Sequence, residues 1–512
     1  MTCHKLIRLA YQKLSSTIKF HSTLERTSNW RDLMKKELES GKYCTSNPST
    51  DPVCIYRVPS SMLQVEPKAY RPNNISIGPF HYGAPHLQKM EMLKRKFYCR
   101  LFGPSGVNGA KLEEAFKFLE EQQVNARRYY MDEIKLSSDE FLQMMLVDGS
   151  FIVQLLRDLS ECEFGQVPYL SRWMLPIIRR ELIMLENQLP MFVLSKLFEL
   201  TDNTQANSEP GTGLNLKALA LRFFYPLLQV DSDNIPECEE KGDELRGHHF
   251  LDLLRSSVRP KLKGEKPRGS QHHMIRSVTE LKQAGVKIKA DETRKILDIS
   301  FGRKWGVLMR ELNIPPLYIN DHRGTVVRNI MAFEKCHKEC NPDVTTYLFF
   351  FNGLINSAED VALLHYKGVL HHSLGNDYAV SELINKISEG VALDKNESYL
   401  HEVVNGANAY FGSFYARKRA TLVHYYFTSW VVGISTIGAL LALYFTVLQA
   451  LCGIADASMA MKNYHFGSLL IEAFRFPVRG IPSTDSKGIH NSKCGDLCRE
   501  VRDLCMEICL TE

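Results

Sequence analysis

Apolar residues recur at helical spacing through most of residues 53–427. Residues 111–134, 138–152 and 177–200 place apolar side chains three or four positions apart, which is the pattern of helices with one buried face. Proline has no amide hydrogen and clashes with the preceding turn, so the third helix is expected to split at Pro190. These segments predict a predominantly helical domain.

A shorter stretch has the alternation of a β-strand. Val286–Lys289 alternates apolar and charged residues, and Ile296–Phe301 and Leu317–Ile319 are expected to pair beside it. No repeat with a period of about 20–50 residues is visible, which argues against a solenoid. The predicted fold class is therefore mainly α, a large helical domain with a small β element.

The longest apolar stretch lies near the C-terminus. No charged residue occurs between His424 and Asp456, and Trp430–Ile454 supplies 25 residues. As a helix they would extend about 37 Å, more than a hydrocarbon core of about 30 Å. The alternative is a core helix of a soluble protein, but core helices rarely run this long without a charge. We predict one C-terminal transmembrane helix, with the lipid bilayer as the partner of residues 430–454.

The charges that flank this stretch predict its orientation. Arg417, Lys418 and Arg419 precede it, whereas the 20 residues that follow carry one lysine against two acidic residues. The positive-inside rule then places the bulk of the chain in the cytoplasm. Residues 1–20 are basic but lack an unbroken apolar core of seven residues, so they do not form a secretory signal. The expected protein is single-pass and located in the plasma membrane.

Composition divides the chain into four parts. Residues 1–50 are polar and expected to be a loosely ordered lead-in, 51–427 form the helical domain, 428–455 hold the membrane helix with the residues leading into it, and 456–512 form a tail. A short amphipathic helix is expected in the tail, because four apolar residues follow one another at spacings of four, three and four: Leu497, Val501, Leu504 and Ile508.

Overall charge and cysteine usage exclude further classes of protein. The 512 residues carry 63 Lys+Arg and 58 Asp+Glu, a net charge of +5 that is too small to indicate nucleic-acid binding. The 13 cysteines are odd in number and follow no disulfide framework, which is typical of a reduced, cytosol-facing chain.

Motifs for familiar chemistry are missing from the sequence. There is no glycine-rich phosphate loop, nucleophile elbow or kinase signature, and position 405 is not the histidine that a zinc protease would need after His401. Three histidine pairs are expected in solvated loops, namely His248-His249, His272-His273 and His371-His372. The group Cys336, His337 and Cys340 favours thiols over zinc, because no second ligand pair follows at zinc-finger spacing. We predict no catalytic residue, metal or cofactor.

Two carboxylates interrupt apolar helical runs, Asp148 in MMLVDGSF and Glu186 in LIMLENQLP. A carboxylate pair with raised pKa could provide the general acid and base of a membrane-tethered hydrolase. The other interpretation is that each is structural and bonds backbone amides or an arginine such as Arg179 or Arg180. The structural interpretation is preferred, because no nucleophile or phosphate-binding element accompanies the pair.

A series of ordered blocks resembles a plant family, the proteins with the domain of unknown function 247 (the UPF0481 type). The blocks are Ile55–Pro59, Tyr70–Pro72, Ile75–His81, Met90-Glu91 with Lys94, Met145–Gly149, Leu185–Pro190, Asp298-Ile299, Ile314–Pro316, Arg328-Asn329, Ala332–Glu334, Asp360-Val361, Leu374-Gly375 and Tyr426-Phe427 with Trp430. The resemblance covers about residues 54–452. This chain departs from the family at Ser150, where cysteine is common, and at Glu181, where aspartate is common.

The resemblance implies a plant-specific, single-pass membrane protein with no established catalytic activity. Some grass members of the family are linked to pollen–stigma self-incompatibility, which implies recognition or signalling. We therefore expect an unknown protein partner, selected by the polar loops at residues 201–213, 231–244 and 259–273, since loops on a rigid scaffold can vary at little cost in stability. Close packing of small residues makes a homodimer through the membrane helix possible, by Ser435, Gly438, Ala439 and Ala442.

Overall fold

A computed structural model shows two compact units, Met1–His424 and Tyr425–Glu512. The described residues are 35–36, 53–103, 109–161, 167–202, 215–228, 247–260, 274–292, 295–303, 310–391, 398–426 and 430–473. The predicted tail helix, most of the lead-in and most of the three polar loops lie outside these ranges.

The described residues form sixteen α-helices and five short strands, which confirms the predicted mainly α class with a small β element. The helices are α1 Ser60–Val65, α2 Gln88–Phe102, α3 Gly109–Arg128, α4 Ser138–Glu161, α5 Met174–Glu181, α6 Met191–Leu200, α7 Leu216–Phe224, α8 Phe250–Val258, α9 Val278–Ala284, α10 Asp321–Cys336, α11 Asp343–Leu354, α12 Ala358–Tyr366, α13 Asp377–Ile387, α14 His401–Gly412, α15 Phe414–Tyr426 and α16 Trp430–Ala473.

Helix α4 lies at the centre of the first unit. Residues 144–153 are buried on every side, so the helix is enclosed by its neighbours rather than lying at the surface. Helix α2 packs along it, with the rings of Phe97 and Phe151 in an edge-to-face contact at 5.0 Å. Helices α3, α6 and α7 also contact α4, and one continuous apolar core includes residues from Cys54 to Ala407.

The helix predicted over residues 177–200 does split, but over nine residues rather than at Pro190 alone. Helix α5 ends at Glu181 and α6 begins at Met191. The intervening turn is fixed by the Gln188 amide, which donates to the carbonyls of Leu182 and Met184 at 2.7 and 2.8 Å. Side chains that bond nearby carbonyls compete with the helix, which explains the long break.

The strands pair differently from the prediction. Strands β1 (Lys287–Ala290), β2 (Ser300–Arg303) and β3 (Arg310–Ile314) form one sheet in the order β1-β3-β2. Strand β3, which the sequence did not predict, runs parallel to β1 and antiparallel to β2.

The predicted strand Leu317–Ile319 exists as β4, but its placement beside Val286–Lys289 is wrong. It pairs in parallel with β5 (Leu370–His372) in a separate two-stranded sheet. Pro315-Pro316 separates β3 from β4. Because proline fixes φ and supplies no ladder hydrogen bond, the chain leaves the first sheet there and starts another.

Helix α16 is 44 residues long, and Ile434–Ser458 within it is long and apolar enough to span a membrane. The predicted stretch 430–454 begins four residues before this segment and overlaps it over residues 434–454. Its large apolar side chains are exposed, for example Ile434, Leu440 and Leu443, each with about 60% of its surface accessible. The hydroxyl of Thr446 donates to the carbonyl of residue 442 at 2.8 Å, so this polar group is satisfied within the helix.

Candidate functional site

Residues 53–81, called here the buried segment, enter the domain interior with little regular structure. They contain only the short helix α1 and a 3-10 turn at Pro67–Ala69. Ile75, Ser76 and Ile77 are each at most 1% exposed. Buried amides outside helices and sheets need acceptors from elsewhere in the molecule. Four of the buried amides, at residues 58, 75, 77 and 78, bond side-chain oxygens of Glu186, Glu181, Asn187 and Asp148.

Glu181, at the end of α5, binds the first stretch of this segment. Its carboxylate accepts the backbone amides of Asn73, Asn74 and Ile75 at 2.8–3.1 Å, and the side-chain amide of Asn74 at 2.9 Å. Glu181 is fully buried. Four donors on one carboxylate replace its lost hydration, so this charge fixes the local backbone.

Asn187 continues the same arrangement two residues along the segment. Its side-chain oxygen accepts the Ile77 amide at 2.7 Å, and its side-chain nitrogen donates to the carbonyls of Ile75 and Glu181 at 3.1 and 3.0 Å. The Asn187 side chain therefore pairs with the segment much as a neighbouring strand would.

Asp148 lies in the middle of α4 and forms a buried ion pair with Lys94 of α2. The Lys94 Nζ lies 2.5 Å from Asp148 Oδ1 and 2.5 Å from Glu91 Oε1, and it donates to the Ser76 carbonyl at 2.7 Å. The other Asp148 oxygen accepts the Gly78 amide at 2.9 Å. Both charged groups are thus bonded to each other and to the segment.

Burial raises the pKa of Asp148 to about 6, against the opposing influence of Lys94. Burial would lower the pKa of Lys94, but the carboxylates of Asp148 and Glu91 outweigh it and raise that pKa. The pair is therefore ionised at neutral pH. A carboxyl group with a pKa near 6 is suited to general-base catalysis, yet Asp148 is 1% exposed and both of its oxygens are occupied.

Glu186 binds the beginning of the segment. Its carboxylate accepts the Val58 amide and the Arg57 guanidinium, each at 2.9 Å, and lies 3.4 Å from the His81 ring. Burial alone would raise the pKa of Glu186, but hydrogen bonds from His81, Val58 and Arg57 outweigh burial and lower it. Glu186 is therefore a stable anion at neutral pH. The groove of about 640 Å³ beside Arg57 is lined by neither Glu186 nor Asp148.

Both candidate carboxylates thus have the bonds expected of structural groups, but the predicted arginines are not their partners. Lys94 and Arg57 take that role. The Arg179 guanidinium instead lies over the ring of Phe223 at 5.0 Å. The cations come from parts of the chain that are distant in sequence from both carboxylates.

Glu334 on α10 is another buried carboxylate that binds backbone amides and a cation. It accepts the amides of Val344 and Thr345 at 3.1 and 2.9 Å, the hydroxyl of Thr345 at 2.7 Å and the Arg255 guanidinium at 3.2 Å. Sequence reasoning missed Glu334, Glu181, Asn187 and Lys94 as fixing groups. An acidic residue inside an apolar run was the available signal, and it was present at Glu181 in RRELIML.

The prediction of solvated loops is wrong for two of the histidine pairs. His249 is fully buried at the start of α8, where its Nδ1 accepts the Asp252 amide at 3.3 Å and its Nε2 donates to the Cys54 carbonyl at 3.1 Å. Burial lowers the pKa of His249 to about 4. His371 and His372 are half-buried on β5, and the remaining pair at 272–273 lies outside the described residues.

The Cys336, His337 and Cys340 group is half-buried where α10 ends. Burial raises the pKa of both thiols, that of Cys340 to about 12, which keeps them protonated. The His337 ring stacks on Phe333 at 5.1 Å and contacts the Tyr56 hydroxyl at 3.0 Å. Across the described ranges, no three potential ligand side chains are arranged to hold a metal ion.

Four exposed residues of α2 and of the turns before α5 are called here the aromatic patch, namely Met92, Lys96, Tyr169 and Trp173. Tyr169 and Trp173 are about 60% exposed, and Met92 is 73% exposed. Tyr169 has φ of 67°, a left-handed conformation that costs a non-glycine residue about 1 kcal/mol. The Lys96 ammonium lies 5.6 Å from the Tyr169 ring. The fold therefore holds large aromatic groups in solvent, with local strain.

The sequence of this chain is similar to those of known proteins. The family model for DUF247, described as plant protein of unknown function, matches residues 55–445. A UPF0481 protein of Arabidopsis thaliana is 28% identical over 424 residues, covering 78% of this chain and 85% of the relative. A second UPF0481 protein of that plant is 25% identical over 483 residues, covering 78% and 89%. No solved structure matches the chain.

Proposed function

We propose, since the chain belongs to the DUF247 family of plant proteins of unknown function, that it is a membrane-anchored recognition protein rather than an enzyme. The observation that carries this proposal is the occupation of the candidate catalytic groups. Asp148 and Glu186 bond backbone amides and cations with their carboxylate oxygens. A general base needs a lone pair that substrate can reach. Recognition needs only a rigid domain and an accessible surface.

Anchoring is supported by the composition and exposure of α16. Residues 434–458 present apolar side chains outward along about five to seven helical turns. Monomeric soluble proteins rarely expose apolar patches of more than a few hundred Å², so this surface needs lipid around it. The basic residues 417–419 favour a cytoplasmic helical domain, and we propose the plasma membrane as the location.

Recognition is assigned to the aromatic patch. Tyr, Trp and Met are enriched at the centres of protein interfaces, where large rings bury much area with little loss of conformational entropy. Tyr169 and Trp173 lie four positions apart in two successive turns, which are closed by the Leu170 and Met174 amides. A preformed, strained turn has less entropy to lose on binding than a flexible one. The partner is a protein with a concave apolar surface, and a role in signalling would follow from its binding.

The polar loops at 201–213, 231–244 and 259–273 remain the predicted determinants of which partner is chosen. They connect elements of the same domain, so their sequence can change without altering the core. The aromatic patch would then supply affinity and the loops specificity. A homodimer through small residues of α16 remains a second proposal for assembly.

The test of recognition compares capture by two double variants of the full chain. Tagged protein is solubilised from plant membranes in mild detergent, and the captured proteins are quantified by mass spectrometry. Tyr169→Ser with Trp173→Ser should lower the amount of the specific partner at least about tenfold, because buried interface aromatics are typically worth 2 kcal/mol or more. Tyr366→Ser with Tyr378→Ser, which alters two rings of at least equal exposure, should leave capture unchanged.

Equal capture by both double variants would remove the aromatic patch from the proposal. The enzyme alternative has its own test. A Glu186→Gln protein that stayed folded and lost a measurable hydrolase activity present in the wild type would overturn the recognition role, because the structural role of Glu186 predicts reduced stability instead.

A further inference from the structure

A basic and aromatic surface lies where α14 meets α15, inside the first unit. It comprises Phe414, Tyr415, Arg417 and Lys418 of α15 with Arg276 beside them, and is called here the α15 surface. Ala416 is buried and holds α15 against the domain, whereas Phe414 is 70% and Tyr415 86% exposed. The two residues before Ala416 and the two residues after it are exposed.

Two grooves meet at this surface. The first, of about 530 Å³, is lined by Arg276, Ser277, Asn356, Asn408, Phe411 and Arg417, with Glu280 among its other lining residues. The second, of about 400 Å³, is lined by Gly412, Phe414, Arg417, Lys418 and Thr421. Arg417 and Gly412 line both grooves, so the two grooves adjoin at these residues.

The wall of the first groove is fixed by Asn408 of α14. Its side-chain oxygen accepts the Arg276 amide at 3.3 Å and its nitrogen donates to the Met274 carbonyl at 3.0 Å. The Arg276 guanidinium packs over the Phe411 ring at 5.2 Å and lies 3.6 Å from Glu280. Arg276 is therefore partly neutralised.

Arg417 and Lys418 differ from Arg276 in their pairing. Within the part of the chain that the structure describes, neither has a carboxylate within ion-pair distance. The Lys418 ammonium lies 5.7 Å from the centre of the Phe414 ring. Arg417 and Lys418 therefore give the groove a positive potential, which favours binding of an anion.

We propose that the α15 surface binds the headgroup of an anionic phospholipid. Phosphate groups suit arginine and lysine donors, and neighbouring exposed rings suit the interface between headgroups and acyl chains. A free phosphate ion would leave the Phe414 and Tyr415 rings uncovered, whereas a lipid covers rings and cations together. Arg417 precedes Trp430, the first residue of α16, by 13 positions. The inference thus rests on the proposed membrane anchoring, which would keep the surface near lipid.

The experiment titrates the full chain, held in micelles of a neutral detergent, with phosphatidylserine or phosphatidylcholine. Bound lipids per chain are counted by native mass spectrometry. Wild type should bind phosphatidylserine at about 30-fold lower concentration than phosphatidylcholine, the effect of two cations at an anionic surface. Arg417→Gln with Lys418→Gln should lose that preference. Lys117→Gln with Arg128→Gln removes the same charge from exposed positions of α3 and should keep it.

Additional measurements distinguish binding of a lipid from binding of a free anion. Phe414→Ser with Tyr415→Ser should weaken binding of both lipids several-fold and keep the preference. The inference is overturned if wild type shows no preference, if both charge variants lose it equally, or if millimolar inorganic phosphate displaces phosphatidylserine, which would indicate a site for a free anion. Flotation with phosphatidylcholine vesicles tests anchoring alone. A chain that does not float would contradict the anchoring proposal. The micelle titration would still show whether the α15 surface binds an anionic headgroup.

Discussion

The buried segment, residues 53–81, has little regular structure and places residues 75–78 inside the domain, whereas α16 is regular and exposes apolar side chains. In the segment, burial is possible because carboxylates and amides from other elements satisfy the backbone, as Glu181 and Asn187 do. In α16 the backbone bonds within the helix, and large apolar side chains such as Ile434 and Leu440 are more than half exposed. The first region depends on specific partners and the second on its surroundings. Changes of single residues should therefore damage the first region far more than the second.

The largest effect is expected from breaking the ion pair beneath the buried segment. Lys94→Met leaves Asp148 and Glu91 without their shared cation, and removing one partner of a buried pair typically costs about 3–5 kcal/mol. Urea unfolding followed by circular dichroism measures the change. Lys89→Met, on the same helix but exposed, should change the free energy of unfolding by less than about 0.5 kcal/mol. Similar losses in both variants would show that the ion pair does not support the segment.

A slightly smaller effect is expected from a methyl group within the segment. Gly78 has φ of 74°, and a Cβ there would lie 2.5 Å from the Gln188 carbonyl oxygen. Gly78→Ala therefore adds an overlap with backbone to an unfavourable φ, a total of about 3 kcal/mol. Gly83 has φ of 76° but nothing within 4 Å of the same position. Gly83→Ala should cost only about 1 kcal/mol, and equal losses would contradict the close approach at Gln188.

The next largest effect is a loss of folding stability at low pH, which follows from the burial of His249. The folded pKa of His249 is about 4, below its ordinary value of 6.5. Between these values the unfolded chain binds a proton that the folded chain does not, so stability is full above pH 6.5 and falls as pH falls toward 4. The loss amounts to about 3 kcal/mol for this group.

Comparing variants isolates this histidine from other titrating groups. His249→Asn keeps an acceptor for the start of α8 but cannot take the proton, so the slope of unfolding free energy against pH should flatten. His86→Asn, at an exposed histidine, should keep the wild-type slope. A His249→Asn protein with an unchanged slope would show that the ring is not buried in its neutral form.

The smallest effect is expected at the aromatic patch. Trp173→Ser should change the free energy of unfolding by less than about 0.5 kcal/mol, since exposed side chains contribute little. Tyr378→Ser, at a ring of 66% exposure, is the matched substitution. A loss of several kcal/mol at Trp173 alone would mean that this ring belongs to the core, and any loss of partner capture would then reflect unfolding.

The sequence predicted α16 and missed the bonds of the buried segment for one physical reason. The character of α16 is local, since a long uncharged run is visible in the chain itself. The partners of Asp148 lie 54 and 70 positions away, at Lys94 and Gly78. The sequence analysis named Arg179 and Arg180 as candidate partners instead. The pairing of Leu317–Ile319 with β5 was missed likewise, because strand partners distant in sequence leave no periodic signal.

Carbonate extraction of plant membranes tests anchoring through α16 most directly. Alkaline washing removes peripheral proteins, but a helix in the hydrocarbon core stays with the lipid. The full chain should remain in the membrane pellet, and a chain lacking residues 430–458 should appear in the supernatant with its helical content otherwise retained. Release of the full chain at high pH would contradict the account, because the exposed apolar side chains of α16 would then be covered by something other than a bilayer.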